Sequence, residues 1–186
     1  MDAQALLLER RLTAALLIGC SATFVVAGTL YTGRAIWKWP VAQTDTYLLW
    51  ERAWVIAAAL INLCGFVLLA GLLENAGDRF IARLALTVYG IATAVLLAAE
   101  GAFLFDRQWV MPQIVLYVVL AFLAQAAFGV ALLRTGLVPL WAAWSTIAWN
   151  LGWLTLFAFV RPEDIYYPVL HHVAPVLIGV ALLLSV

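Results

Sequence analysis

Residues 115–124 read VLYVVLAFLA, ten hydrophobic side chains in succession. Two other runs of the same kind are AVLLAA (94–99) and VLIGVALLL (176–184). A strand that crosses a membrane alternates polar and apolar residues, whereas these runs are hydrophobic on every side. Such runs are typical of helices in lipid, because a helix satisfies its backbone hydrogen bonds within the segment. The sequence therefore predicts an all-α membrane protein.

The composition of the whole chain agrees with this prediction. Of its 186 residues, 67% are hydrophobic and 11% are charged, and the formal net charge is zero. A soluble domain carries about a quarter charged residues, so these few charges cannot cover a surface exposed to water. The composition excludes a soluble enzyme and a nucleic-acid binder with a basic face.

Helices need about 20 apolar residues to cross the hydrocarbon core. Six stretches of the chain meet this requirement, and the connections between most of them are short. Short connections place neighbouring helices antiparallel, so we predict a single-domain six-transmembrane-helix up-down bundle over residues 1–186. The predicted spans are 12–32, 51–73, 83–105, 113–134, 139–160 and 168–186.

The predicted location is the inner (plasma) membrane, crossed several times. Lys and Arg residues divide equally between the two sides, five on each, so the positive-inside rule does not decide the orientation. Arg10 and Arg11 lie next to the first span and favour a cytoplasmic N-terminus. The loop 33–50 contains Trp37 and Trp39; these rings indicate either an interfacial aromatic belt, where amphipathic rings favour the headgroup level, or a half-buried lid in the membrane plane.

Glu100 is the clearest ionisable residue within a span. A charge at the centre of a membrane helix costs about 2.5–3.5 kcal/mol, so such a residue is functional by default. At 100° per residue, Tyr89, Thr93, Glu100 and Arg107 lie on one face of the third span. Glu100 is then either a functional acid facing the bundle or a carboxylate that pairs with Arg107 or reaches the headgroups.

Other polar and aromatic residues of the spans are expected in the same half of the bundle, opposite the N-terminus. Asn62, on one face with Gly65, instead predicts a helix-packing seam. Because the deep polar groups occupy one half only, they predict a polar-lined pocket open to one leaflet rather than a continuous pore. The further residues expected at this pocket are Glu51, Trp54, Asn150, Trp153, His171 and His172.

Three functions are compatible with this pattern. The leading hypothesis is a protein that binds a membrane lipid or small apolar molecule, either alone or as an accessory subunit. The residues predicted to bind this ligand are Trp54, Tyr89, Thr93, Arg107, Asn150 and Trp153. The alternative is an isomerase or cyclase that performs acid–base chemistry on an isoprenoid-like substrate, since a buried Glu can donate a proton. Its catalytic residues are Glu100, His171, His172 and Glu51.

The third function is a small oligomeric transporter or channel. Pro175 favours transport, because transporters commonly contain helices broken at mid-depth. Small residues such as Ala15, Gly19 and Thr23 are compatible with a homo-oligomer or with a membrane-complex partner. No nucleic-acid partner is expected.

No cofactor and no metal are predicted. Bis-His haem ligation needs His residues on facing helices, whereas His171 and His172 are adjacent and point about 100° apart on one helix. The sequence also lacks a Cys/His spacing typical of zinc sites, and the one arrangement left open is His171 with Glu100 or Glu51.

The layout resembles a bacterial family of six-span integral membrane proteins of unknown function. The features that carry the resemblance are a basic residue before the first span, Glu100 in the third, and the turn RTGLVP at 134–139. The turn is similar to that family's Arg-Ser/Thr-Gly-(apolar)-(apolar)-Pro pattern. The His pair and the Trp-rich loop depart from the family pattern. The resemblance implies an architecture and a role for Glu100, but no activity.

Overall fold

The computed structural model describes residues 3–107, 110–160 and 170–185, and its regular structure is all helical. Six α-helices follow one another in the part of the chain that the structure describes. They are α1 (Ala3–Tyr31), α2 (Asp45–Asn75), α3 (Phe80–Asp106), α4 (Met111–Thr135), α5 (Leu140–Leu156) and α6 (Val173–Leu184).

Four helical stretches are long and apolar enough to cross a membrane. These are Gln4–Ile36, Asp45–Asn75, Phe80–Asp106 and Met111–Thr135, and they confirm an all-α chain compatible with a membrane. Helix α5 has 17 residues and α6 has 12. At 1.5 Å per residue, α6 is only about 18 Å long, against a hydrocarbon core of about 30 Å.

The first four helices extend beyond the predicted spans because hydropathy marks the segment in lipid rather than the ends of a helix. The predicted loop 33–50 is wrong in extent. Residues Thr32–Ile36 continue α1 as a π-helical turn, and α2 already begins at Asp45. The Thr44 side chain accepts a hydrogen bond from the Tyr47 backbone N–H at 3.4 Å. This N-cap favours an earlier helix start.

The helices pack as a ring. Each contacts its neighbours in the chain, and α6 closes the ring against α1 and α5. Gly179 permits the closure, since a Cβ there would lie 2.8 Å from Ile18 Cγ1 and 3.0 Å from the Ala14 carbonyl. Small residues allow such close backbone approach between membrane helices.

The two ends of the bundle can be identified from contacts of Arg10. Its guanidinium donates to the carbonyl of Leu137 and to Ser185 Oγ, the latter at 2.7 Å. The start of α1, the α4–α5 turn and the end of α6 therefore meet at one end, which we call the N-terminal end. The π-helical turn Thr32–Ile36 lies at the opposite, far end.

Candidate functional site

The helix predicted over 168–186 is interrupted at His172. Residues 170 and 171 are helical, His172 forms a turn, and α6 begins at Val173. Pro175 explains the interruption, because it has no N–H to donate to the carbonyl of His171, four residues earlier. The predicted first residues of this span, 168 and 169, lie outside the described part of the chain.

Three consecutive carbonyls at this break each accept a hydrogen bond from a side chain on a different helix. The pairs are Trp149 Nε1 with Leu170 O at 2.8 Å, Gln125 Nε2 with His171 O at 3.1 Å, and Ser21 Oγ with His172 O at 3.0 Å. In lipid, carbonyls freed by a proline need such partners from neighbouring helices. The neighbouring helices therefore stabilise the break through these three hydrogen bonds.

The imidazole of His171 lies in a buried polar network. The Tyr89 hydroxyl is 2.7 Å from His171 Nε2 and accepts a hydrogen bond of 2.7 Å from Asn62 Nδ2. Gln125 Nε2 lies 3.1 Å from His171 Nδ1. Asn62, Tyr89 and Gln125 belong to the middle third of α2, α3 and α4, so His171 lies near mid-depth and not near the end of the bundle. Its ring is fully engaged by protein groups.

The neighbouring imidazole of His172 has a different environment. It stacks on the ring of Phe24 with centroids 4.5 Å apart and an interplanar angle of 17°. The residue is 7% exposed, and its Nδ1 has no hydrogen-bond partner in the described residues. A buried polar atom without a partner is costly, and this nitrogen is enclosed by the protein rather than exposed to the cavity.

His172 lies in the wall of a cavity of about 670 Å³ between α1 and the start of α6. The cavity extends from Ser21, near mid-depth, to Trp37 at the far end. The wall is mostly apolar, and among the described residues that line it there is no Asp, Glu, Lys or Arg. On α1 it is formed by Ser21, Phe24, Val25, Gly28, Thr29 and Tyr31.

A second polar cluster, which we call the ion quartet, consists of Arg34, Glu51, Arg52 and Glu100. Arg34 Nε donates to Glu51 Oε2 at 2.7 Å, and Arg52 contacts Glu51 at 2.9 Å and Glu100 at 3.4 Å. The side chains of both glutamates are fully buried. The Arg52 guanidinium also lies 4.9 Å from the centroid of Phe103. The quartet joins the π-helical turn to α2 and α3.

The structure brings Glu51 and Glu100 together, and separately brings Tyr89 and His171 together. It does not bring both groups into one chamber. Glu100 is eleven residues from Tyr89 along α3, roughly 16 Å at 1.5 Å per residue. Of the residues predicted for the pocket, His172 is the one in the wall of the cavity.

The other predicted site residues lie elsewhere. Arg107 does not reach Glu100 but contacts Asp45 at 3.5 Å in an exposed pair. Thr93 donates to the Tyr89 carbonyl, and Asn150 donates to the Thr146 carbonyl. Trp54 packs against Phe24, Ala27, Val55 and Ala58. Trp153 packs against Trp149 and Phe157 on α5.

Sequence reasoning missed the partners of these groups. Arg52 directly follows Glu51 at the start of an apolar span. A charged residue within such a span is unusual, and this could have identified Arg52 as a partner of a buried carboxylate. Asn62 was assigned to a helix-packing seam, and it does bond across two helices, although its partner Tyr89 was not identified. Ser21 and Gln125 gave no signal, since a single hydroxyl or amide in an apolar helix does not reveal which backbone carbonyl it satisfies.

Within the described ranges, no group of three or more His, Cys, Asp or Glu side chains is placed to hold a metal ion. Comparisons with protein-family models, with curated proteins and with solved structures found no match for this chain. The resemblance to a six-span family stays a prediction.

Proposed function

We propose that this chain is a multi-pass membrane protein that binds one lipid-like apolar molecule in the cavity between α1 and α6. One observation carries the proposal: an apolar cavity of about 670 Å³ between α1 and α6, with the largely buried His172 in its wall. Small-molecule sites are commonly clefts of about 300–1,000 Å³ with apolar walls and few polar groups.

The position of the cavity supports a ligand that arrives from the membrane. Val25 and Ile36 in its wall are exposed on the outside of the bundle, 65% and 62% respectively. In a membrane these surfaces face acyl chains, so a lipid can enter sideways between α1 and α6. The cavity lies in the half of the bundle opposite the N-terminus.

The six-span arrangement is part of the same proposal. The contacts of Arg10 with Leu137 and Ser185 support an even number of crossings, because they hold the start of α1 and the end of α6 at one end. Helices α5 and α6 then cross together with the four longer helices. We further propose the inner (plasma) membrane and a cytoplasmic N-terminus.

A transporter is the second candidate, favoured by the break at His172, since transporter sites commonly lie at mid-depth on discontinuous helices. Ion coordination at the break has less support, because the carbonyls of Leu170, His171 and His172 already accept hydrogen bonds. An acid–base enzyme has less support still, because its acid Glu100 is paired with Arg52 and α3 does not contribute to the cavity wall.

Filling the cavity tests the proposal. A Cβ at Gly28 would meet only Phe24 Cε1, at an ordinary 3.9 Å, so the backbone accommodates Gly28→Leu and the new side chain occupies the cavity. The protein is purified in mild detergent, and the retained lipids are identified by mass spectrometry. We expect the original protein to retain one dominant lipid species and Gly28→Leu to lose it.

Gly90→Leu is the matched control, since a Cβ at Gly90 has no neighbour within 4 Å and α3 does not line the cavity. This variant should retain the same lipid as the original protein. Equal retention by Gly28→Leu, with both variants folded, would contradict binding in the cavity.

A further inference from the structure

We propose that Arg34 is a positioning residue for the cavity: its ion pair with Glu51 fixes the π-helical turn that forms the far end of the cavity wall. Arg34 itself is not among the described residues that line the cavity. This inference rests on the proposed binding function and adds a residue that acts on the site through its neighbours.

The far end of the cavity wall belongs to the π-helical turn and to the residues on either side of it. Thr32 and Ile36 are the first and last residues of the turn, and both line the cavity. Tyr31 before the turn and Trp37 after it line the cavity as well. π-helical turns are rare and are frequently found at functional sites. The position of this turn therefore determines the shape of the cavity at its far end.

Arg34 ties the turn to α2. Its Nε donates to Glu51 Oε2 at 2.7 Å, and its Nη2 donates to Glu51 Oε1 at 3.2 Å. Such a two-point contact with a carboxylate fixes orientation as well as distance, and the Glu51 side chain is fully buried. Ile36 and Trp37 are 62% and 61% exposed, so their own packing contributes less to holding the turn in place.

Arg34 also contacts a residue of the cavity wall directly. Its guanidinium carbon lies 5.7 Å from the centroid of the Tyr31 ring, within the range of a cation–π contact. Its backbone carbonyl accepts a hydrogen bond of 3.1 Å from Gln43 Nε2. One residue thus joins the buried carboxylate of Glu51, the backbone of the turn and an aromatic ring of the wall.

Preorganisation is the physical reason why this contact affects binding. A ligand that must itself order a side chain of its site binds about two- to tenfold less tightly for each such side chain. Without the ion pair between Arg34 and Glu51, the ligand rather than the protein must order Ile36 and Trp37. Binding should weaken although every residue that lines the cavity is unchanged.

A photo-crosslinking probe tests this inference in nanodiscs of a single phosphatidylcholine. The probe is a long-chain alkylbenzene with a diazirine in its tail, added below saturation, and the labelled residues are quantified by mass spectrometry. Labelling of the cavity wall on α1 and α6 is divided by labelling of the exposed α3 residues Leu84 and Ile91, which corrects for probe dissolved in the bilayer. We expect Arg34→Gln to lower this ratio about two- to tenfold.

Two further variants separate positioning from a general loss of stability. Arg34→Lys keeps the positive charge near Glu51, so it should lower the ratio less than Arg34→Gln does. Arg134→Gln is the matched control, because Arg134 Nε contacts the buried carboxylate of Asp78 at 3.0 Å but lies at the N-terminal end, away from the cavity. It should label like the original protein. Should Arg34→Gln fail to fold, Arg34→Lys is compared with Arg134→Lys in the same way.

The outcomes separate the inference from the proposed function. If the ratio of the original protein does not exceed that of Gly28→Leu, the cavity does not bind the probe and the proposed function itself fails. If it does, but Arg34→Gln labels like the original or Arg134→Gln loses as much, the cavity binds and the positioning role of Arg34 is overturned. Loss in Gly28→Leu and Arg34→Gln, with Arg134→Gln unchanged, supports both.

Discussion

Glu100 is a buried acid that pairs with Arg52. We therefore expect its replacement to change the stability of the protein. Glu100→Gln leaves Arg52 with one carboxylate, which it shares with Arg34. Removing one partner of a buried ion pair typically costs about 3–5 kcal/mol, because the other charge stays buried. We therefore expect a large decrease in the free energy of unfolding, measured by denaturant titration in mixed micelles.

Glu74→Gln is the matched control for this substitution. Glu74 and Arg83 form an ion pair of 2.6 Å, but their side chains are 29% and 53% exposed. Exposed pairs contribute little to stability, so this variant should unfold like the original protein. Equal effects of the two substitutions would show that the quartet is not a buried electrostatic unit.

At this scale, sequence reasoning identified residues better than it identified their partners. Glu100 was recognisable as a buried acid because a carboxylate within an apolar span is rare. Pairing with Arg107 was one alternative, suggested by helical phase within one helix, yet Arg52 on α2 is the actual partner. Contacts between helices depend on rotation and tilt, which the pattern within a single helix does not define.

The broken helix before α6 can be tested by a double-mutant cycle. Gln125→Leu leaves the His171 carbonyl without its side-chain donor, at a cost of about 1–3 kcal/mol. Pro175→Ala supplies a backbone N–H for the same carbonyl, so Gln125→Leu should cost less in the Pro175→Ala background. The free energies of unfolding of the four proteins give the coupling energy directly.

Gln113→Leu provides a control on the same helix, about three turns before Gln125 and away from the break. Its effect should simply add to that of Pro175→Ala. Additive effects of Gln125→Leu and Pro175→Ala would mean that the amide does not compensate for the proline.

Among the elements, the existence and the type of each helix were predictable, because long apolar runs have no other stable form in lipid. The interruption at His172 was only partly predictable. Pro175 indicated an irregularity in the last helix. A proline in a membrane helix can either kink or break that helix, depending on which neighbouring side chains bond to the carbonyl left without a backbone donor. Here Gln125 donates to the His171 carbonyl, which Pro175 leaves without a backbone donor, and Trp149 and Ser21 donate to the carbonyls of Leu170 and His172 on either side of it.

The whole-molecule prediction concerns topology. Single cysteines are placed at the exposed positions Ala76, Val41 and Phe159, in a chain whose native cysteines are replaced by alanine. A membrane-impermeant maleimide is then applied to intact spheroplasts. Six crossings with a cytoplasmic N-terminus predict that Val41→Cys and Phe159→Cys react from outside, and that Ala76→Cys reacts only after permeabilisation.

Two results would contradict parts of this topology. If Phe159→Cys behaves like Ala76→Cys, α5 does not cross the membrane and the six-span arrangement is wrong. If Ala76→Cys reacts from outside and Val41→Cys does not, the orientation is reversed.

The ion quartet has an electrical consequence for the whole molecule. Moving one elementary charge through a membrane potential of about 100 mV involves roughly 2.3 kcal/mol of work. The two guanidinium and two carboxylate groups of the quartet cancel in formal charge. A voltage therefore does no net work on them when they move as a unit with the π-helical turn, whose Thr32 and Ile36 border the cavity. We therefore expect the membrane potential not to displace this part of the cavity rim.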